Sequence, residues 1–154
     1  MYISDKIEVR DTKKGKYLVV VNKIIENEAI FEFEKKFIKK STRTSMQIDD
    51  SVHQESTNTN ALENFLNHSC KPNGYIKFQD LTYRALRIIK KGERLTFNYN
   101  TTEWDMREKF QCECEFNNCY GQIAGFKYLT HEQQKELEPL LSPFLKKKLK
   151  KAKS

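Results

Sequence analysis

The chain has 154 residues, enough for one domain with a hydrophobic core and too few for two ordinary domains. Its residues are 38% hydrophobic, 12% aromatic and 32% charged, which is typical of a globular protein. No run of 18 or more apolar residues occurs, so we expect no membrane-spanning segment.

The net charge of +7 is concentrated at the C-terminal end. The segment FLKKKLKKAKS (144–154) holds six lysines, which leaves the rest of the chain at +1, that is +7 less these six. The pattern favours a solvated, fraying end over an arm that binds an anionic partner. We therefore expect nucleic-acid binding, if any, only through this lysine-rich tail.

The first residues, MYISDKIEVR, lack the charged segment and the apolar segment of a secretory signal peptide. This predicts an intracellular, cytoplasmic protein in a reducing compartment. The four cysteines are then better interpreted as metal ligands or free thiols than as disulfides.

Strand-like segments dominate the first two thirds of the chain, because β-branched and aromatic residues are frequent and Gly or Asn separates the runs. The predicted strands are 16–22, 29–38, 45–49, 75–78, 82–89 and 94–99. The pattern predicts a mostly β fold with short helices (α+β).

Helical signals are fewer. NALENFLNH (60–68) places Leu62, Phe65 and Leu66 on one helical face. Near the C-terminus, Thr130 and Gln133 are spaced as a capping box, and Ser142 with Pro143 predicts the start of a second, basic helix. Pro139 should break or kink the first of these helices.

Three cysteines occur close together in QCECEFNNCYG (111–121), as Cys112, Cys114 and Cys119. Their thiols can face one point if the chain turns at the intervening asparagines. Zinc prefers four tetrahedral ligands, and the one remaining cysteine is Cys70, in NHSCKPN (67–73). We therefore favour a four-cysteine zinc site over the alternative, which is a buried Cys70 and three incidental thiols.

Three motifs in order, NHSCKPN, KKGERLTFNYN (90–100) and CECEFNNCYG (112–121), resemble the SET-domain protein-lysine methyltransferases with a post-SET zinc loop. The resemblance covers roughly residues 12 to 128. It implies a fold of several small β-sheets with a pseudoknot-like C-terminal threading and a C-terminal helix. It also implies three parts: a SET domain (1–110), a post-SET zinc loop (111–128) and a helical, lysine-rich tail (129–154).

The N-terminal half matches the family more loosely. Gly15 stands at the first glycine of the G-x-G turn, whereas Tyr17 occupies the second. Asn27 replaces the glycine of a G-E pair, and Phe33 stands where the family often has tyrosine.

The resemblance implies methyl transfer from S-adenosylmethionine to a lysine amine, with zinc as the structural metal. It identifies Tyr99 as the catalytic tyrosine and places Phe97 at the phenylalanine/tyrosine switch, so we expect di- or trimethylation. Phe33 lacks a hydroxyl that could steer the amine, and Tyr83 is a candidate to compensate.

The same resemblance assigns cofactor contacts to Asn67 and His68 and to the turn Gly15, Lys16 and Tyr17. Phe126 is a candidate to cover the adenine, although a core role is equally compatible with the sequence. The implied partner is a protein or peptide with a lysine, bound as an extended strand. The protein would be nuclear if it comes from a eukaryote or acts on the chromatin of a host cell.

Two other functions remain open from the sequence. One is an inactive or catalytically weak SET fold that binds a peptide or the cofactor, which the loss of the second glycine and Phe33 favour. The other is a zinc-stapled nucleic-acid-binding module, although its basic residues do not form a stripe interleaved with aromatic residues.

Overall fold

Short β-strands are the main regular structure of the first 123 residues in the structure, a computed structural model that describes residues 1–153. The strands are β1 (Ile7–Thr12), β2 (Gly15–Val20), β3 (Ala29–Glu32), β4 (Phe37–Ile38), β5 (Met46–Asp49), β6 (Val52–Gln54), β7 (Asn67–His68), β8 (Gly74–Lys77), β9 (Thr82–Ala85), β10 (Thr96–Phe97), β11 (Phe110–Gln111) and β12 (Gln122–Ile123).

These strands form five small sheets among the described residues. The hairpins β1-β2 and β11-β12 and the three-stranded sheets β3-β9-β8 and β4-β6-β5 are antiparallel, whereas β7 and β10 pair in parallel. This architecture confirms the mostly β fold class. The parallel pair is compatible with the pseudoknot-like threading, which stays a prediction.

Helical structure is short before residue 130. The part of the chain that the structure describes holds two α-helices, α1 (His131–Leu137) and α2 (Pro143–Lys153). It also holds four 3-10 turns, at Leu62–Phe65, Tyr99–Thr101, Phe126–Tyr128 and, between the two helices, Glu138–Leu140.

The predicted helix signals at the C-terminal end are confirmed. The Thr130 side chain accepts the Gln133 N–H, and the Gln133 side chain accepts the Thr130 N–H, which is a capping box. Pro139 lies in the 3-10 turn that follows α1. The Ser142 hydroxyl accepts the Leu145 N–H and so caps α2.

The main core lies between the sheets and is apolar. Leu18, Ile24, Ile30 and Leu95 are all fully buried within it. Tyr83 is buried beside them, and a Cβ at Gly74 on the neighbouring strand would collide with the Tyr83 ring. Glycine at this position therefore lets β8 and β9 carry a large aromatic residue between them.

Three predictions about elements were wrong. The expected strand 29–38 is divided into β3 and β4, and the expected helix at 60–68 is a single 3-10 turn followed by β7. The lysine-rich end is not a fraying tail over the described residues, because Phe144, Leu145 and Leu149 of α2 are buried against Phe126 and Leu137.

The boundaries proposed at residues 110 and 128 stay predictions. Hydrogen bonds from Met106 N–H to Ala124 O and from Ser142 N–H to Thr101 O join the later segments to the β-rich part. No helix among residues 1–153 combines the length and apolar character needed to cross a bilayer.

Candidate active site and metal centre

The parallel pair β7-β10 brings two of the sequence motifs side by side. Asn67 pairs with Thr96, and His68 pairs with Phe97. The Ser69 N–H extends this contact by donating to Phe97 O. Tyr99 lies two residues after the end of β10, at the start of a 3-10 turn that Asn98 caps. NHSCKPN and ERLTFNY therefore meet although they are distant in the chain.

The Tyr99 hydroxyl has a fixed orientation. It donates to Leu66 O at 2.6 Å, and its ring packs against Phe97, with ring centres 4.9 Å apart. Burial raises the pKa of Tyr99 to about 12, against the opposing positive charge of Arg43. The phenol is therefore neutral near physiological pH, and its oxygen keeps lone pairs free to accept further contacts.

A cavity of about 520 Å³ opens beside this tyrosine. The predicted residues Phe33, Asn67, Phe97 and Tyr99 all line it. Other parts of its wall come from the segment 41–47, which follows β4, and from the segment 105–110, which precedes the cysteines. The structure thus brings the three predicted catalytic side chains to one cavity.

Phe33 contributes a ring without a hydroxyl group to the wall of the cavity. Phe33 is 4% exposed and packs on Phe31, so this part of the wall is apolar. The prediction that Tyr83 could compensate for Phe33 is wrong. Its hydroxyl donates to Thr96 O at 2.8 Å, and the residue is completely buried away from the cavity lining.

His68 uses both ring nitrogens within the protein. Its Nδ1 accepts the Tyr99 N–H at 3.0 Å, and its Nε2 lies 3.3 Å from Cys70 Sγ. Burial lowers the pKa of His68 to about 4, so the ring is neutral at physiological pH. His68 could therefore contact a cofactor through its backbone or the face of its ring, and this role stays a prediction.

The predicted cofactor residues Gly15, Lys16 and Tyr17 begin β2, directly after the two-residue turn from β1. Gly15 has φ of +124°, a value that favours glycine. The Lys16 side chain pairs with Asp11, and the Tyr17 ring is covered by the Arg94 guanidinium at 3.9 Å, so both side chains have partners within the protein. An ion pair between Lys14 and Glu113 links the turn to the cysteine motif.

Phe126 lies in the second apolar cluster, with the C-terminal helices. It is 1% exposed and does not line the cavity. The structure supports the core role that the sequence left open, and the adenine contact stays a prediction that would require the ring to leave this cluster.

The four cysteines meet as the sequence predicts. All four Sγ atoms lie within 4.8 Å of one another, and Cys70 Sγ is 3.8 Å from Cys112 Sγ and 3.9 Å from Cys119 Sγ. A tetrahedral zinc ion with Zn–S bonds of ~2.3 Å has sulfur atoms ~3.8 Å apart. The donor set and spacing therefore fit zinc, whereas a disulfide would need ~2.05 Å.

The thiol environments differ within this cluster. Burial raises the pKa of Cys70, and burial also raises the pKa of Cys112 to about 11. At Cys114 burial acts in the same direction, but hydrogen bonds, including one from the Phe116 backbone, lower the pKa to about 7. Four thiols cannot all ionise without a cation, and a bound metal would deprotonate them.

Three residues of the site were not identified from the sequence. Phe110 packs edge-on against both His68 and Tyr99, with ring centres 5.9 Å apart in each case. Arg43 lines the cavity, and so does Glu103, whose carboxylate accepts the Gln47 N–H at 2.9 Å. None of them carries a motif signal, because their places depend on how distant loops fold together.

Comparison with known proteins identifies the family of this fold. The model of the SET domain matches residues 9–100, which is more than half of the chain. A methyltransferase named flvH from Aspergillus flavus is 37% identical over 90 residues, which cover 56% of this chain and 48% of that protein. A histone-lysine N-methyltransferase, H3 lysine-36 specific, from Eremothecium gossypii is 29% identical over 141 residues, covering 77% and 20%. The chain thus spans about half of the first relative and a fifth of the second.

Solved structures agree on the fold. KRYPTONITE, in a complex with mCHG DNA and SAH, superposes with a TM-score of 0.64 at 21% identity over 79% of this chain and 30% of that one. A second KRYPTONITE complex, with mCHH DNA, an H3(1-15) peptide and SAH, gives a TM-score of 0.60 at 20% identity, with the same coverage. The family match, the small-sheet architecture and the meeting of the three motifs lead to one conclusion: the chain belongs to the SET-domain family.

Proposed function

We propose that the protein is a lysine N-methyltransferase that uses S-adenosylmethionine. The observation that carries the proposal is the position of Tyr99, whose hydroxyl is held by Leu66 O at the wall of a cavity in a SET-domain chain. Relatives named as histone-lysine N-methyltransferases support it.

The cavity wall would help the substrate amine to react. A lysine ammonium has no lone pair, and its ordinary pKa of ~10.4 keeps it protonated at neutral pH. Phe33 and Phe97 give the wall beside Tyr99 an apolar character, which disfavours the charged amine and lowers its pKa. These rings would also orient the amine and exclude water from it.

Tyr99 would organise the reacting atoms. Because its proton is donated to Leu66 O, its oxygen can accept weak C–H contacts from a polarised methyl group and a hydrogen bond from the amine. Burial keeps the phenol neutral, so it would not act as a base.

S-adenosylmethionine would supply an electrophilic methyl group on its sulfonium. It would be held by the exposed amide of Asn67, by the backbone of His68 and by the backbone of Gly15–Tyr17 at the start of β2. Phe110, 37% exposed and edge-on to His68, offers a further apolar contact. Polar backbone and an exposed aromatic ring fit a ligand with an amino-acid end and a nucleoside end.

The product would carry two or three methyl groups. Phe97 and Phe33 line the cavity without a hydroxyl that could hydrogen-bond the amine or a water molecule and restrict the space. A methylated amine therefore has room to turn and react again.

The substrate would be a lysine in an extended peptide, and histone H3 is the first candidate. Two relatives are named as specific for H3 lysine-36 and H3 lysine-4. Action on chromatin would place the protein in the nucleus. Zinc would hold Cys112, Cys114 and Cys119 onto Cys70, and nucleic acid would contact only the lysines of α2.

The test is transfer of a labelled methyl group from S-adenosylmethionine to H3 peptides that contain lysine-4 or lysine-36, and to a lysine-rich protein mixture. We expect label on at least one protein, with protein heated to unfolding as the control. Absence of label on every protein, including the chain itself, would contradict the proposal.

A further inference from the structure

His68 is the one side chain that contacts both the catalytic tyrosine segment and the cysteine cluster through hydrogen bonds, among the bonds described for residues 1–153. Tyr99 N–H lies 3.0 Å from Nδ1, and Cys70 Sγ lies 3.3 Å from Nε2. One imidazole therefore spans the two centres.

The partner of Nδ1 determines the tautomer of the ring. A backbone N–H can only donate, so the Nδ1 that receives it must be without a proton. In a neutral ring the proton is then on Nε2, which points at Cys70 Sγ. The ring donates to the sulfur at one end and accepts from the backbone of Tyr99 at the other.

Cys70 is suited to receive this bond. Its sulfur also lies 3.4 Å from the Tyr120 N–H, so two donors converge on it. A set of four thiolates around one Zn²⁺ carries excess negative charge, and N–H donors to sulfur offset it. Donors of this kind orient metal ligands and tune their electron density.

We propose that His68 is a positioning residue that couples the cysteine cluster to Tyr99. A metal-bound Cys70 fixes Nε2, and the ring so fixed holds the Tyr99 backbone through Nδ1. Release of the metal frees Cys70 and removes one of the two anchors of the ring. The effect on catalysis rests on the proposed function, whereas the bonds themselves do not.

The first test uses the wild-type protein. We expect ¹⁵N NMR of the zinc-loaded chain to show His68 with a proton on Nε2 and none on Nδ1. Treatment with a chelator should speed exchange of the Tyr99 amide hydrogen by about tenfold, because a hydrogen bond loses its support. A ring protonated on Nδ1, or a Tyr99 amide that exchanges equally with and without metal, would overturn the coupling.

The second test compares His68→Phe, which keeps a flat ring without nitrogens, with His131→Phe, which alters an exposed histidine on α1. With Co²⁺ in place of zinc, we expect His68→Phe to move the sulfur-to-metal charge-transfer band to lower energy, since Cys70 loses a donor. The control variant His131→Phe should show the charge-transfer band at its wild-type energy. A band at the wild-type energy in His68→Phe would overturn the proposal.

The catalytic arm measures kcat and KM with an H3 peptide. His68→Phe should lower kcat by about 10- to 100-fold, the range for loss of such a supporting group, and leave KM for the peptide near its wild-type value. An unchanged kcat would overturn the coupling. If the wild type transfers no methyl group, the proposed function fails, and the NMR and Co²⁺ results still decide the coupling. If His68→Phe does not fold, the wild-type measurements decide it.

Discussion

The β region (residues 7–97) and the cysteine segment (residues 110–123) are stabilised by different interactions. Leu18, Ile24 and Leu95 are completely buried in the β region, within one continuous apolar core. In the cysteine segment β11 and β12 have two residues each, and the buried residues of the local cluster are Cys70, Cys112 and Ile123. Apolar burial can stabilise the β region, whereas we expect the cysteine segment to depend on a metal ion bound by its thiols.

The largest effect should come from removing the metal. Structural zinc contributes on the order of 10 kcal/mol of binding free energy, which the two short strands cannot replace. A strong chelator, or Cys119→Ser, should therefore make the backbone amides of the cysteine segment exchange freely while β8 and β9 stay protected. Hydrogen exchange with mass spectrometry measures both.

Asn118→Ser is the matched control for that experiment, since Asn118 is exposed in the same loop. It should bind one metal per chain and exchange as the wild type does. A metal-free chain with a fully protected cysteine segment would show that apolar packing is sufficient there.

Tyr99→Phe acts where the two regions meet. It removes the oxygen that would organise methyl and amine, so we expect the initial rate of methyl transfer to fall on the order of 100-fold. Folding should persist, because the lost bond to Leu66 O contributes only ~1 kcal/mol. Tyr128→Phe, at a residue 52% exposed and outside the cavity, should react at the wild-type rate. Equal rates for the two variants would remove Tyr99 from the mechanism.

Leu18→Ala should weaken the β region itself. Truncating a fully buried leucine costs about 2–5 kcal/mol, which thermal or denaturant unfolding would record as a lower free energy of unfolding. Because Cys70 belongs to both regions, the loss should also lower the temperature at which the metal is released. Val9→Ala, at the 40% exposed cross-strand partner of Leu18, should cost less than ~1 kcal/mol. Similar losses in both variants would contradict the assigned core.

Phe97→Tyr should change the product rather than the stability. The added hydroxyl enters the cavity beside Tyr99 and restricts the amine, so monomethyl-lysine should replace higher products in mass spectra of the peptide. Its melting temperature should stay within a few degrees of the wild type. If both proteins give the same product distribution, residue 97 does not set the methylation state.

The smallest effect is expected at α1. Thr130→Ala removes the hydroxyl that accepts the Gln133 N–H and should cost ~1 kcal/mol in denaturant unfolding. Neither region depends on this cap, so metal content and rate should not change. A change in either would mean that α1 supports the site.

The residues that meet at the candidate site were easier to predict from the sequence than the strands and turns that position them. The cysteines and Tyr99 stand in compact motifs whose residue types restrict their roles, and the structure brings the four thiols together. In contrast, β6 and β7 have three and two residues, too few for a periodic pattern, and they depend on distant partners.

Burial and side-chain contacts were also outside the reach of local patterns. Phe110 meets His68 and Tyr99 through tertiary folding. At the lysine-rich end the helix was predicted, whereas the burial of Leu145 and Leu149 on its inner face was not. Tyr17 departs from the family's glycine, and only the structure shows the Arg94 side chain that covers its ring.

The most direct test of lysine methylation by this protein is to locate the transferred methyl group on the substrate. The zinc-loaded chain is incubated with S-adenosylmethionine and an H3 peptide, and tandem mass spectrometry locates every added group. We predict methyl groups on a lysine side-chain nitrogen, up to two or three on one lysine, and almost none with Tyr99→Phe. An unmodified peptide across H3 and other lysine-rich substrates, or equal methylation by Tyr99→Phe, would contradict this prediction.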